Sequence, residues 1–205
     1  MFGDSDTAFR LIIAAELVAM GGVRDYYFFF RSKESIRERL RGAVEASWLT
    51  AAMGALALLH FGAVFVYIAR PSALGWSAFN LAVPNRWAGI AINIASAAGE
   101  IWSLISLGAN YNPLLRVGKE HVLVTAGAYR WMRHPLYAFA LPLLAGWGVA
   151  ARNWLIIASG LSVTALAMAI RAPREEAMML GAFGPSYREY MTRTGRFVPR
   201  IRAAR

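Results

Sequence analysis

The chain has 205 residues, 58% of them hydrophobic and 17% charged, with a mean hydropathy of +0.41. That is too apolar for an ordinary soluble domain of this size, and the apolar residues fall in blocks of roughly 16 to 23, the length class of membrane helices. The absence of cysteine excludes disulfides, thiolate nucleophiles and zinc–thiolate sites, while the spacing of the charges behind the net +10 points to membrane topology rather than to nucleic acid.

Taken in order, the apolar runs predict an all-α bundle of about five spans in a single domain, 1–205. The spans are Thr7 to Val23 or on to Phe30, Ser47 to Ala69, Arg86 to Gly108, Leu136 to Ala151, and Trp154 to Ile170. The first carries Arg10 and Glu16 and lacks a basic segment ahead of it, so it is not read as a cleavable signal peptide. The two charges are expected to snorkel or to face the bundle. Tyr26 to Phe30 reads as an interfacial aromatic belt, and Arg31 to Glu45 as an amphipathic surface helix with Ile36, Leu40 and Val44 on one face. The last two runs are short for a bilayer and only Arg152 and Asn153 separate them, which implies a tight hairpin or ragged helix ends.

Between the spans, Lys and Arg number six in Arg24 to Glu45, two in Arg70 to Arg86, four in Ala109 to Pro135, one at Arg152 and eight from Arg171 onward. The alternation places the N-terminus outside and all three basic segments on the cytoplasmic face. The central loop and the tail are therefore expected in one compartment. Trp48, Trp76, Trp87, Trp131, Trp147 and Trp154 lie near span ends, as interfacial aromatics do.

Chemistry-bearing residues gather in the C-terminal half. Glu100, ionisable within an apolar span, is either functional or an interhelical hydrogen-bond partner. Asn110, Tyr111 and Asn112 are expected to leave the membrane on the basic side as candidates to line a polar pocket. In EHVLVTAGAYRWMRHPLY, residues 120–137, Val122 to Val124 favour extended backbone able to hydrogen-bond a base edge, and Gly127 breaks the run. Pro135 suits the first helical position, which holds Arg133 and His134 beside the positive end of a helix. In the tail, Arg171 and Glu175 share a helix face, either as a site pair or as a surface ion pair. Glu175 and Glu176 point apart, so at most one enters a pocket. Phe183-Gly184-Pro185 ends that helix, and Tyr187 and Tyr190 lie one turn apart beyond it, in a tail expected to close as a lid.

LGANYNPLLRV, HVLVTAGAYRWMRHPLY, then the paired glutamates, Phe183-Gly184, two tyrosines and Phe197-Val198-Pro199 together resemble the isoprenylcysteine carboxyl methyltransferase family, within the wider group of membrane phospholipid and isoprenylcysteine methyltransferases. The resemblance covers 107–199, the expected catalytic core, and leaves the N-terminal helices of 1–106 unmatched. It implies S-adenosyl-L-methionine, with S-adenosyl-L-homocysteine as product, bound at the cytoplasmic face, and a lipophilic or prenylated acceptor entering between helices. By position, His121, Val122, Leu123, Val124, Tyr129, His134, Pro135, Leu136, Tyr137 and Glu175 would hold the cofactor. Arg171 would bind the acceptor, and Arg171, Glu175 and His134 would form the catalytic set. Pro173 and Arg174 precede Glu175 where the family often has a longer acidic run. The implied partners are the lipid bilayer and that acceptor, with no metal and no nucleic acid; the oligomeric state is left open.

Methyl transfer from a sulfonium needs alignment and exclusion of water rather than a metal or a covalent intermediate. A carboxylate acceptor needs no base, whereas a thiol or amine would draw on His134, Glu175 or Glu100. Two other functions remain open from the residues. A membrane sterol or steroid reductase using NADPH shares the general C-terminal pattern but tends to a tail with Cys and Trp, and a non-enzymatic assembly protein would use the loop charges only for topology.

Overall fold

The computed structural model describes residues 4–31, 48–112 and 121–200. All regular structure among them is helical: α1 (Asp4–Tyr26), α2 (Trp48–Ala69), α3 (Val83–Leu107), α4 (Pro135–Ala151), α5 (Trp154–Leu166) and α6 (Ala172–Arg193). Short helical turns extend α1 over Tyr27–Arg31 and join α5 to α6 over Ala167–Arg171. The apolar run after Asn153 therefore continues into the charged tail as one rod. It bends at Gly184, where φ is +51° and Pro185 follows, as the Phe-Gly-Pro sequence predicts. Except for Arg31, the predicted surface helix of Arg31 to Glu45 lies outside the described residues.

This is a multi-pass integral membrane protein. By length and hydropathy, the helices spanning 51–69, 83–110 and 154–193 each hold a segment able to cross a bilayer, and α4 is a shorter apolar helix. At 17 residues α4 is about 26 Å long, enough to approach both faces of a hydrocarbon core of about 30 Å. It turns directly into α5: Arg152 adopts left-handed backbone, and Asn153 caps α5 by accepting from the Ile156 amide. The hairpin expected from the two-residue spacing is therefore formed.

Close packing depends on small residues where helices cross. A Cβ on Gly89 of α3 would meet backbone atoms of Ala150 and Gly146 at 3.0 Å, so α3 and α4 pack almost backbone to backbone. Polar pins then tie α1 into the bundle. At the hairpin end Arg86 donates to Asp6 at 2.8 Å and to the Ala150 carbonyl at 2.7 Å, with its guanidinium 3.8 Å over the Phe9 ring. Arg10 donates to the Ile68 carbonyl, and Glu16 accepts from Asn93 and Trp147. The two α1 charges thus face the bundle.

Two expectations are corrected here. Arg86, taken as the first residue of a span and as a loop charge, lies within α3, which starts at Val83, and is 2% exposed in an ion pair. Trp147, taken as an interfacial aromatic, is buried against His60 and hydrogen-bonded to Glu16. In both cases a partner on α1, invisible in local sequence, draws the side chain inward.

Replacing Arg86 by Leu leaves the Asp6 carboxylate with only the Tyr67 hydroxyl at 3.1 Å and Arg152 at 4.0 Å, and removing one partner of a buried pair costs about 3–5 kcal/mol. Thermal unfolding in detergent should show a correspondingly lower Tm for Arg86→Leu, partly restored by Asp6→Asn. An unchanged Tm would refute the pin.

Candidate active site

The loop after α3 and the tail after α6 meet at one end of the bundle. The Arg133 amide donates to the Gly195 carbonyl at 2.9 Å and the His134 amide to the Arg196 carbonyl at 3.0 Å. The Gly195 and Arg200 amides return bonds to the Trp131 carbonyl, and the Tyr190 hydroxyl donates to the Tyr129 carbonyl at 2.7 Å. Loop and tail therefore share one end, as the charge count implies, and the tail closes over the loop.

His134 sits between the two glutamates at the start of α4. Its Nδ1 lies 3.4 Å from Glu175 and its Nε2 3.2 Å from Glu176. Consecutive residues on a helix diverge, and the two acids do take different surroundings. Glu175 accepts from Tyr137 at 2.6 Å and from Arg171 at 2.9 Å and faces a cavity. Glu176 turns behind it to meet Arg133 at 2.8 Å and Arg196 at 3.0 Å. Arg133 also donates to the Met191 and Thr194 carbonyls, so it ties the tail down. This role for Arg133, Glu176 and Arg196 was hidden in the sequence, because it depends on the tail folding back.

Burial works against charge on all three ionisable groups, but their mutual contacts prevail. Hydrogen bonds to both glutamates raise the His134 pKa. Those from His134, with the charge of Arg171 and the Tyr137 hydroxyl, lower that of Glu175. Bonds from His134 and Arg133 bring Glu176 down to about 2.

The cavity has a volume of about 430 Å³, within the usual range for ligand sites. Every predicted site residue except Pro135 lines it: His121, Val122, Leu123, Val124, Tyr129, His134, Leu136, Tyr137, Arg171 and Glu175. Pro135 is buried in the first turn of α4. Asn110, Tyr111 and Asn112 also line the cavity, and Asn110 Oδ1 accepts from the Val122 amide at 3.0 Å, fixing the extended strip. Tyr187 and Tyr190 roof it. The other end runs between α2, α4 and α5 and is walled by Met53, Ala57, Phe61, Leu144 and Val163. One end is thus polar and aromatic with a carboxylate, the other apolar and within the bilayer. Among the described residues no group of three or more acidic or histidine side chains is placed to hold a metal ion.

A helical membrane protein with a charged chamber opening onto an apolar sleeve is the class that fold and site define. Residues 89–181 match the model of the isoprenylcysteine carboxyl methyltransferase (ICMT) family, and across that segment the chain resembles this family. It is 33% identical over 101 residues to the protein-S-isoprenylcysteine O-methyltransferase of Tribolium castaneum, covering 48% of this chain and 36% of that one. It is 31% identical over 109 residues to the cobalt-zinc-cadmium resistance protein CzcN of Cupriavidus metallidurans, covering 52% and 45%. The solved structure of a eukaryotic intramembrane Ras methyltransferase ICMT superposes with a TM-score of 0.52 at 25% identity, over 77% of this chain and 54% of that one. The chain thus spans about a third to a half of the length of these relatives.

The sign of the pH dependence follows from the shifts. The raised His134 pKa contributes stability that is complete below the unfolded value and lost as pH rises through the folded one. The depressed Glu176 pKa contributes stability that is complete above the unfolded value and lost as pH falls toward about 2. Glu176→Gln should therefore destabilise by about 3 kcal/mol between the two folded-state pKa values, with the difference from wild type shrinking as pH falls toward about 2 and as it rises through the raised His134 pKa. Thermal unfolding of both proteins across that range checks it; a pH-independent difference would exclude the His134–Glu176 contact as its source.

Proposed function

We propose that this protein is a membrane methyltransferase that transfers a methyl group from S-adenosylmethionine to a lipophilic acceptor, an isoprenylcysteine-type carboxylate or a similar amphiphile, at the cytoplasmic face. The observation that carries the reading is Glu175, held by Arg171, Tyr137 and His134 in the wall of a cavity whose far end is an apolar sleeve. The alternation of basic segments supports an outside N-terminus and a cytoplasmic tail.

The residues fit such a donor. Glu175 keeps its charge near neutral pH and offers an anionic partner to an ammonium group. The strip from His121 to Val124, facing Tyr129 and roofed by Tyr187, offers an extended backbone and aromatic faces to a base. When bound, the donor supplies a sulfonium methyl: an acceptor oxygen forms the new C–O bond while the C–S bond breaks, its electron pair returning to sulfur and leaving a neutral thioether.

For a carboxylate acceptor no proton moves, so the side chains bind, align and exclude water. Arg171 orients the acceptor from the face opposite the strip, and the sleeve between α2, α4 and α5 takes its apolar tail. His134 holds Glu175 in place rather than serving as a base. The tail, latched through Arg133 and Glu176, covers part of the chamber.

Calorimetry on the detergent-purified protein should give micromolar binding of S-adenosylmethionine and S-adenosylhomocysteine and none of NADPH. Loss of a charged hydrogen-bond partner is worth about 1.5–3 kcal/mol, so Glu175→Gln should weaken binding by about tenfold to a hundredfold, and His134→Ala should weaken it in the same direction. Failure of a folded sample to bind either sulfur compound would overturn the reading, and binding of NADPH would replace it with a reductase.

A further inference from the structure

At the loop end of the bundle, Arg24 from the last turn of α1 reaches Glu100, two turns before the end of α3. Arg24 Nη2 lies 2.8 Å from each Glu100 oxygen. The pair is asymmetric: the Glu100 side chain is 0% exposed, whereas that of Arg24 is 44% exposed and lines the cavity. A pair that only joined helices would bury both partners, as Asp6 and Arg86 do at 3% and 2%. Only Nη2 is engaged, which leaves the N–H groups of Nε and Nη1 without a partner among the described residues.

Two further observations locate what those donors meet. Tyr111 and Arg171 line the same cavity as Arg24, so the two guanidiniums belong to one chamber. An anionic head beside Arg171 alone would also approach Glu175, which lies 2.9 Å from that guanidinium and is 26% exposed. Beside Arg24 the carboxylate is hidden behind its own arginine. From there the stripe of Met53, Ala57 and Phe61, spaced one turn apart on α2, leads along the apolar sleeve.

We propose that Arg24 is a specificity-determining residue: oriented by the buried Glu100, it holds the anionic head of the acceptor opposite Arg171, so the site selects anionic amphiphiles over neutral ones of the same shape. Glu100 is then a positioning residue. The inference deepens the methyltransferase reading by assigning a residue to the charged head of the acceptor, and it rests on that reading only for the identity of the second ligand.

The test compares N-acetyl-S-farnesylcysteine with its uncharged amide, binding each to purified protein in detergent without a methyl donor. Wild type is expected to prefer the acid by about tenfold or more, the scale of a charged hydrogen bond. Arg24→Gln should cut that preference at least severalfold, leaving what Arg171 alone supplies, while affinity for the amide stays within about twofold, and Arg24→Lys should retain more of it. Because the single change strands Glu100, the double variant Arg24→Gln/Glu100→Gln, which removes both charges, provides the deciding comparison should the single one unfold. Equal affinity for acid and amide in wild type, binding of neither, or a folded double variant that keeps the preference would overturn the proposal. Binding of S-adenosylhomocysteine, measured separately, judges the methyltransferase reading: its absence beside an intact acid preference would sink that reading and leave the role of Arg24 standing.

Discussion

His134 bridging two carboxylates is the contact on which the rest of the site depends. Its ring joins the start of α4 to α6 and lies between a glutamate that faces the cavity and one that faces the tail. An imidazolium with an acid on each side satisfies both of its donors at once, and each acid is completed by arginine: Arg171 for Glu175, Arg133 and Arg196 for Glu176. Buried charge is tolerable only when paired and hydrogen-bonded in this way. The same contacts give the two glutamates different surroundings, one facing the cavity and the other holding the tail through Arg133 and Arg196.

The bundle applies the same rule within the membrane. Hydrophobic burial alone discriminates poorly between helix arrangements where lipid is as apolar as the core, so close backbone approach and polar pairs supply the specificity. Gly89 and Gly146 permit the first at the α3–α4 crossing. Asp6 with Arg86, Glu16 with Asn93 and Trp147, and Glu100 with Arg24 supply the second, at successive levels along α1. Each pin places one end in α1, which is why a helix too charged to read as an ordinary span still packs with the others.

The cavity joins two solvents. Its charged chamber lies where the loop and tail meet, and its sleeve lies among helices in the apolar layer. On the proposed reading, the polar head of an amphiphilic acceptor and a small polar donor would share the chamber, while the acceptor's hydrocarbon tail would lie in the sleeve.

Local sequence was enough to define the helices, the hairpin at Arg152 and Asn153 and the break at Gly184, whereas the expected cofactor residues came from a family resemblance and the apolar wall of Met53, Ala57 and Phe61 from neither. The features read locally rest on short-range physics: apolar run length, proline and glycine backbone limits, and the i,i+4 spacing that pairs Arg171 with Glu175. The alternation of basic segments also placed loop and tail together. Tertiary structure alone decided which charges are internal. Arg86 and Trp147 read as boundary residues because their partners, Asp6 and Glu16, stand far away in the chain on α1. Arg24 read as a topological charge until Glu100, 76 residues on, turned it toward the cavity. Glu176 became a latch only because the chain after Gly184 folds back onto the loop. Pairings between distant residues leave no periodic trace in a single sequence, so a charge's partner, and with it its role, is fixed only when the helices assemble.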